Sequence, residues 1–332
     1  MRFVLIFLTS SIALSPANLS EVLAPLESKY KAKIGVAALK FGSQDFLFHR
    51  ETEFFKMSST VKLPIAVTLL HKSSIGEIDL DELVEVRPDH LLPGSGKLQY
   101  FAGHPGLSIS LRNLLEPMLI ISESTASDVV LEKLGGADAV SEFLETSGIT
   151  NIHINRTFAE IFMDARGYSE IPPQRERSLN WWNSEWAKLS KSREFRLAQS
   201  DAYHGDDRDT TTPKAMLSLL LALREHSILP KNEFGYLFQI MQNCETGDHR
   251  IRKGLPRSYV VSNKTGTWNN LQYEYMGDVG YFKVGDDTIL FAVFVETKLP
   301  SDWKKGLYSE PIFPEVARYL KQYYFPVVEK KP

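Results

Sequence analysis

The sequence predicts an α+β fold: an antiparallel sheet flanked by helices, built from both chain ends, with an all-α lobe inserted between them. Three observations carry this. Strand-length apolar runs gather early, at 34–39 and 45–49, and again in the last third, at 259–263, 277–282 and 288–296. The stretch from Ile75 to about Leu223 instead carries apolar residues mostly at helical spacing. Segregated runs of strands and helices, rather than strict alternation, mark this class.

The elements follow in order. Arg2 precedes an apolar run from Phe3 to Leu14 and the small residues Ser15, Pro16 and Ala17, the pattern of a signal peptide over 1–17. The run is short for a bilayer span, so an exported protein, periplasmic or secreted, is expected, with an uncleaved anchor as the alternative. A helix follows over Leu19–Lys31, then a hairpin of Ile34–Leu39 and Asp45–His49 around Gly42-Ser43-Gln44. A helix from about Ser59 to His71 tolerates Pro64 near its first turns. Pro93-Gly94-Ser95-Gly96 reads as a turn; its Gly-x-Gly lacks the strand and helix a phosphate loop needs. Helices are expected over Ser108–Ile121 and over Ser124–Leu134, the second ended by Gly135-Gly136. Residues 156–209 read as irregular, with Pro172-Pro173, and Pro213–Glu225 as helix. Gly285-Asp286-Asp287 turns between the last two strands, and Glu310–Tyr324 closes the chain as an amphipathic helix.

The 332 residues exceed what one core holds, so two lobes are expected: 18–72 with 226–332, and 73–225. The formal net charge is −3 and no long Lys or Arg run occurs, which argues against nucleic acid or an anionic membrane as partner. Cys244 is the sole cysteine, so no intrachain disulfide forms. The histidines show no ligand spacing, so no metal or other cofactor is expected. The expected form is a monomer.

Three polar strings could carry chemistry. Ser59 and Lys62 stand three apart, on one helical face. A desolvated lysine can take the proton that keeps a serine hydroxyl a poor nucleophile. Alone, the pair also fits an ordinary capped helix. Ser122-Glu123-Ser124 lies between two apolar helices, as a cleft-lining turn or a plain helix cap. Lys264-Thr265-Gly266-Thr267 closes the strand at Tyr259–Asn263, as a cleft edge or a solvated strand end. Gly266 would let a substrate approach that strand closely.

Together and in this order, the three strings resemble the signature of class A β-lactamases and penicillin-binding proteins, Ser-x-x-Lys, Ser-Asp-Asn and Lys-Thr-Gly. Ile34–Leu39, the Arg208–Pro213 segment and the Thr246–Pro256 stretch resemble class A text as well. The resemblance implies a β-lactamase/transpeptidase-like fold in which 156–209 is an enlarged Ω-loop. It implies that Ser59 is the acylated nucleophile, that Lys62 deprotonates it, that Ser122 passes a proton to the leaving nitrogen, and that Lys264 supplies positive field. Ser124, Thr265, Gly266 and Thr267 would bind substrate, and the Ser59 and Thr267 N–H groups would form the oxyanion hole. The implied substrate is a β-lactam or a peptidoglycan-like molecule. β-Lactam hydrolysis is the favoured activity; the alternatives are a D,D-peptidase, an esterase, or a sensor that stays acylated.

The chain also departs from the pattern. Ser124 stands where Asn is usual, and Glu123 where Asp is. Class A enzymes hydrolyse the acyl-enzyme with a Glu shortly after an Arg on the Ω-loop; here Arg156 matches, but Phe158 falls at the Glu position. Glu160, Glu176 of the string Glu176-Arg177-Ser178-Leu179-Asn180, or neither, could act as base. Arg156 is expected to pair with Asp209 at the loop's neck. Trp182, Trp186 and Leu189 have helical spacing beside Trp181, fitting a helix packed on the body, or a lid.

Overall fold

Antiparallel pairing joins the two ends of the chain. In a computed structural model describing residues 18–168, 172–188, 192–304 and 306–326, the chain begins with helix α1 (Leu19–Tyr30) and strands β1 (Ala32–Lys40), β2 (Phe46–His49) and β3 (Phe55–Lys56). A 3-10 turn at Ser58–Val61 runs directly into helix α2 (Lys62–Ser74). Strands β4 (Leu83–Val86) and β5 (Leu107–Ser110) precede helices α3 (Leu111–Ile120), α4 (Ser124–Leu134), α5 (Ala137–Thr146), α6 (Phe158–Asp164), α7 (Leu179–Lys188) and α8 (Arg193–His204). Strand β6 (Thr210–Thr211) and helices α9 (Pro213–Arg224), α10 (Lys231–Gln242) and α11 (Ile251–Gly254) lead to β7 (Val260–Asn269), β8 (Tyr273–Val284), β9 (Asp287–Lys298) and helix α12 (Ile312–Tyr324). The expected leader lies outside the described residues.

The main sheet has the order β2-β1-β9-β8-β7, antiparallel throughout. Its register pairs Val36 with Val293 and Val279 with Ala292. Side chains alternate across a strand, and β9 shows the consequence. Ile289, Phe291, Val293 and Val295 pack with α1 and α12, whereas Leu290, Ala292 and Phe294 join the larger core on the opposite side. That larger core takes Leu63, Ile65, Ala66 and Leu69 of α2, Met216, Leu219 and Leu220 of α9, and the apolar faces of α3 to α5. The helices are stopped and started by local chemistry. Ser110 accepts from Asn113 N to cap α3, and Thr212 caps α9 ahead of Pro213. Left-handed Gly135 ends α4.

Several boundaries differ from the sequence reading. Leu107–Ser110 is a strand paired with Leu83–Val86, and the helix expected from Ser108 begins at Leu111. Leu107-Ser108-Ile109-Ser110 alternates with period two, a signal that the longer apolar face beyond it hid. Helix α10 was not expected in the strand-rich last third. The final strands are longer than expected, so Lys264-Thr265-Gly266-Thr267 lies inside β7 rather than closing it. The 156–209 segment holds α6, α7 and α8. Trp182 is fully buried and Trp181 meets it edge-on, as a packed helix requires; the Trp186 side chain and Leu189 lie outside the description.

Candidate active site

The junction of the 3-10 turn with α2 places Ser59 in the turn and Lys62 at the helix start, where the helix runs through the core with no exposed residue from Lys62 to Leu70. Lys62 is therefore fully buried. Burial, followed by the nearby Lys264 charge, holds its amine far below the usual lysine range. The shift favours the neutral, basic form of the amine.

The second string meets it from α4. Ser122 has φ +61°, an uncommon conformation for a residue other than glycine, at the turn before the helix. Lys62 Nζ donates to the Ser122 carbonyl at 2.5 Å and to Ser122 Oγ at 3.2 Å, with Ser124 Oγ at 3.4 Å. The turn is held by Glu123, which is the α4 N-cap: its carboxylate accepts from Thr125 N at 3.1 Å, from Leu98 N at 3.0 Å and from Lys97 N. Glu123 thus fastens the 96–98 loop to α4, and a Cβ on Gly96 would collide with its carboxylate. The cap is the glutamate, not either serine.

The third string comes from the sheet. Lys264 Nζ donates to Ser122 Oγ at 3.1 Å and to the Thr265 carbonyl at 2.7 Å. Burial lowers its pKa to about 8. Ser122 Oγ therefore sits between two lysines from different elements. A hydroxyl so placed can accept a proton on one side and release one on the other. Gly266 has a different task from the one its sequence suggested. A Cβ there would lie 2.5 Å from the Met57 carbonyl and 2.9 Å from Ser59 N, so the glycine lets β7 press against the turn that carries Ser59. The close approach is by the protein's own backbone, not first of all by a substrate. Thr265 Oγ1 meets Thr246 Oγ1 at 2.6 Å, and Thr267 is exposed at the open edge.

Around this cluster the structure adds groups to which sequence reasoning gave no role. Arg250 is buried beneath β7 and β8, donates at 2.8 Å to the carbonyls of Gly266 and Gly277, and donates to Thr267 Oγ1. It lay within the Thr246–Pro256 string, but nothing in its spacing gave it a partner. Asp128, one turn beyond Ser124 on α4, accepts from Phe158 N at 2.7 Å and Ala159 N at 2.9 Å. Burial raises its pKa to about 7. This clamp seats the start of α6, and with it the Phe158 ring, whose centroid is 4.3 Å from Lys62 Nζ.

The two glutamates weighed for the hydrolytic role are placed otherwise. Glu160 is spent on a capping box, accepting from Thr157 N at 2.7 Å and Thr157 Oγ1 at 3.0 Å. Glu176 is exposed in a short 3-10 turn beside Arg175. The expected neck is present: Arg156 Nε donates to Asp209 at 2.6 Å, and Arg156 Nη1 reaches Asp164 at 3.0 Å and Asp206 at 2.9 Å. Among the described residues no group of three or more His, Cys, Asp or Glu side chains could hold a metal ion, and no helix is long and apolar enough to cross a membrane.

A sequence profile described as the beta-lactamase enzyme family matches residues 18–324, and the chain belongs to that family. Among its relatives, beta-lactamase VEB-1 of Pseudomonas aeruginosa is 26% identical over 330 residues, covering 97% of this chain and 96% of that protein. Beta-lactamase Toho-1 of Escherichia coli is 26% identical over 263 residues, 79% of this chain and 76% of its own length. Among solved structures, an ancestral class A β-lactamase of Gram-negative bacteria superposes with a TM-score of 0.70 at 26% identity, covering 91% of this chain and 98% of that one. A β-lactamase from Desulfarculus baarsii gives 0.72 at 25% identity, over 93% and 97%. The fold is that of the class A β-lactamases.

Proposed function

We propose that this protein is a serine β-lactamase that opens the β-lactam amide through a Ser59 acyl-enzyme. The observation that carries the reading is Ser122 Oγ, held 3.2 Å from Lys62 Nζ and 3.1 Å from Lys264 Nζ. Neutral Lys62 takes the Ser59 proton as Ser59 Oγ bonds to the lactam carbonyl carbon. The Ser59 and Thr267 N–H groups receive the negative charge on the carbonyl oxygen, a type of contact worth ~3 kcal/mol in the transition state. As the carbon–nitrogen bond breaks, the proton passes from Lys62 through the Ser122 hydroxyl to the lactam nitrogen. Lys264, with Arg250 behind Thr267, offers positive charge to the substrate carboxylate.

Water then cleaves the ester. With Phe158 beside Lys62, Glu160 in its cap and Glu176 exposed, the base for this step is Lys62, which gives up the proton again to Ser59 as leaving group. With neither Glu160 nor Glu176 placed as its base, the ester would outlast the time it takes to form. That feature favours a second reading, a D,D-peptidase or sensor acting on peptidoglycan-like substrates. A mass time course with penicillin and turnover of a chromogenic cephalosporin separate the two. Released ring-opened product supports the lactamase, and an adduct that outlasts hours supports the second reading. Export rests on Arg2 and the apolar run at 3–14; the expected result is a mature protein lacking 1–17, read from its N-terminal mass.

A further inference from the structure

A cavity of about 710 Å³ opens beside the cluster. It shares Thr267 with the cluster. One wall is the end of β7, Thr267 to Asn269, with Asn270 beyond it. The other continues α6, whose first residue is Phe158, through Ala165 and Arg166. Helix α8 closes the far side with Arg196 and Gln199, and Gln199 packs against Gly167. A group on the acyl carbon that followed β7 past Thr267 would reach this space.

Among the described lining residues the charge has one sign. Arg166 and Arg196 line the cavity, and among the described lining residues there is no carboxylate. Arg166 is held in place: Nη1 donates to the Phe162 carbonyl at 2.8 Å, and the guanidinium lies 5.9 Å from the Phe162 ring and 5.7 Å from the Trp268 ring, themselves stacked at 5.7 Å. Burial lowers its pKa to about 10, which leaves it cationic at neutral pH. The indole N–H of Trp268 is buried with no hydrogen-bond partner among the described residues. A held arginine flanked by aromatic faces suits a planar carboxylate, which it can meet with two parallel hydrogen bonds.

We propose that the acyl side of the substrate carries an anionic group, a carboxylate, received by Arg166 and Arg196. This rests on the acyl-enzyme reading above. The test compares acylation of the full chain by two penicillins that differ only in an α-carboxylate on a phenylacetyl side chain. The carboxylated compound is expected to acylate Ser59 about tenfold faster or more, the range of a charge-assisted hydrogen bond. The preference should shrink in high salt and fall towards unity in Arg196→Glu and Arg166→Gln. Equal rates in the unaltered protein, or a preference that both substitutions leave intact, overturn the proposal while the acyl-enzyme reading stands. If neither penicillin acylates Ser59, both fall together.

Discussion

The Phe158 ring centroid lies 4.3 Å from Lys62 Nζ, and the backbone N–H of that phenylalanine is fixed 2.7 Å from Asp128. An aromatic face thus stands against Lys62, the proposed base, where the family pattern places a carboxylate. The consequence is asymmetric. In the proposed mechanism acylation uses Lys62, Ser122 and Lys264, which the structure brings together, whereas hydrolysis of the ester would draw on the same amine, with no other base placed for it among the described residues.

Phe158→Glu tests this directly. A carboxylate introduced beside Lys62 is expected to speed release of the acyl group about 100-fold, the lower range of general-base catalysis. Single-turnover decay of the adduct reads the rate. Unchanged decay would mean that the aromatic ring is not what limits hydrolysis.

The two lysines give the reaction a pH dependence. Burial, then Lys264, lowers the Lys62 pKa, so its base form persists well below the usual lysine range and the acid limb of acylation lies there. Lys264, at about 8, carries its charge below that pH and loses it above. Capture of the substrate carboxylate should therefore weaken as pH rises through 8. Acylation kcat/KM measured from pH 5 to about 10 is expected to fall at both ends, with KM rising on the alkaline side.

Gly266→Ala is expected to cost acylation about 100-fold, as an ångström-scale displacement of a reacting group does. The added Cβ would meet the Met57 carbonyl at 2.5 Å and force β7 away from the Ser59 turn. Far-ultraviolet circular dichroism should show the fold retained. Full activity would mean that the two segments need not touch.

Arg156→Ala leaves Asp209 buried without its 2.6 Å partner and removes the cation shared with Asp164 and Asp206. Breaking such a buried network typically costs ~3–5 kcal/mol. A clear fall in Tm is expected, with earlier proteolysis between 157 and 208. A Tm within a degree of the unaltered protein would show that the neck contributes nothing.

Much of this was legible in the chain. Strand periodicity at 34–39 and in the last third placed the sheet at both chain ends, and the three short strings contained Lys62, Ser122, Ser124 and Lys264, which meet. The Arg156–Asp209 pair was also readable, from the resemblance of the segments around the two residues to the ends of the family's Ω-loop. What escaped depends on contacts rather than patterns. Gly266 looks like an opening for substrate until the Ser59 turn is seen behind it. Asp128 and Arg250 acquire their roles only when α6 and β7 are packed against them. Glu160 could be weighed as a base until the structure committed its carboxylate to Thr157.

The most direct measurement is intact mass with time after adding excess penicillin, for the unaltered chain and for Ser59→Ala. The account expects one adduct of the full penicillin mass, on Ser59 by peptide mapping. It should accumulate towards stoichiometry and then decline as ring-opened product appears, with nothing on Ser59→Ala. An unaltered chain that never gains mass and never opens the lactam, or an equal adduct on Ser59→Ala, would contradict it.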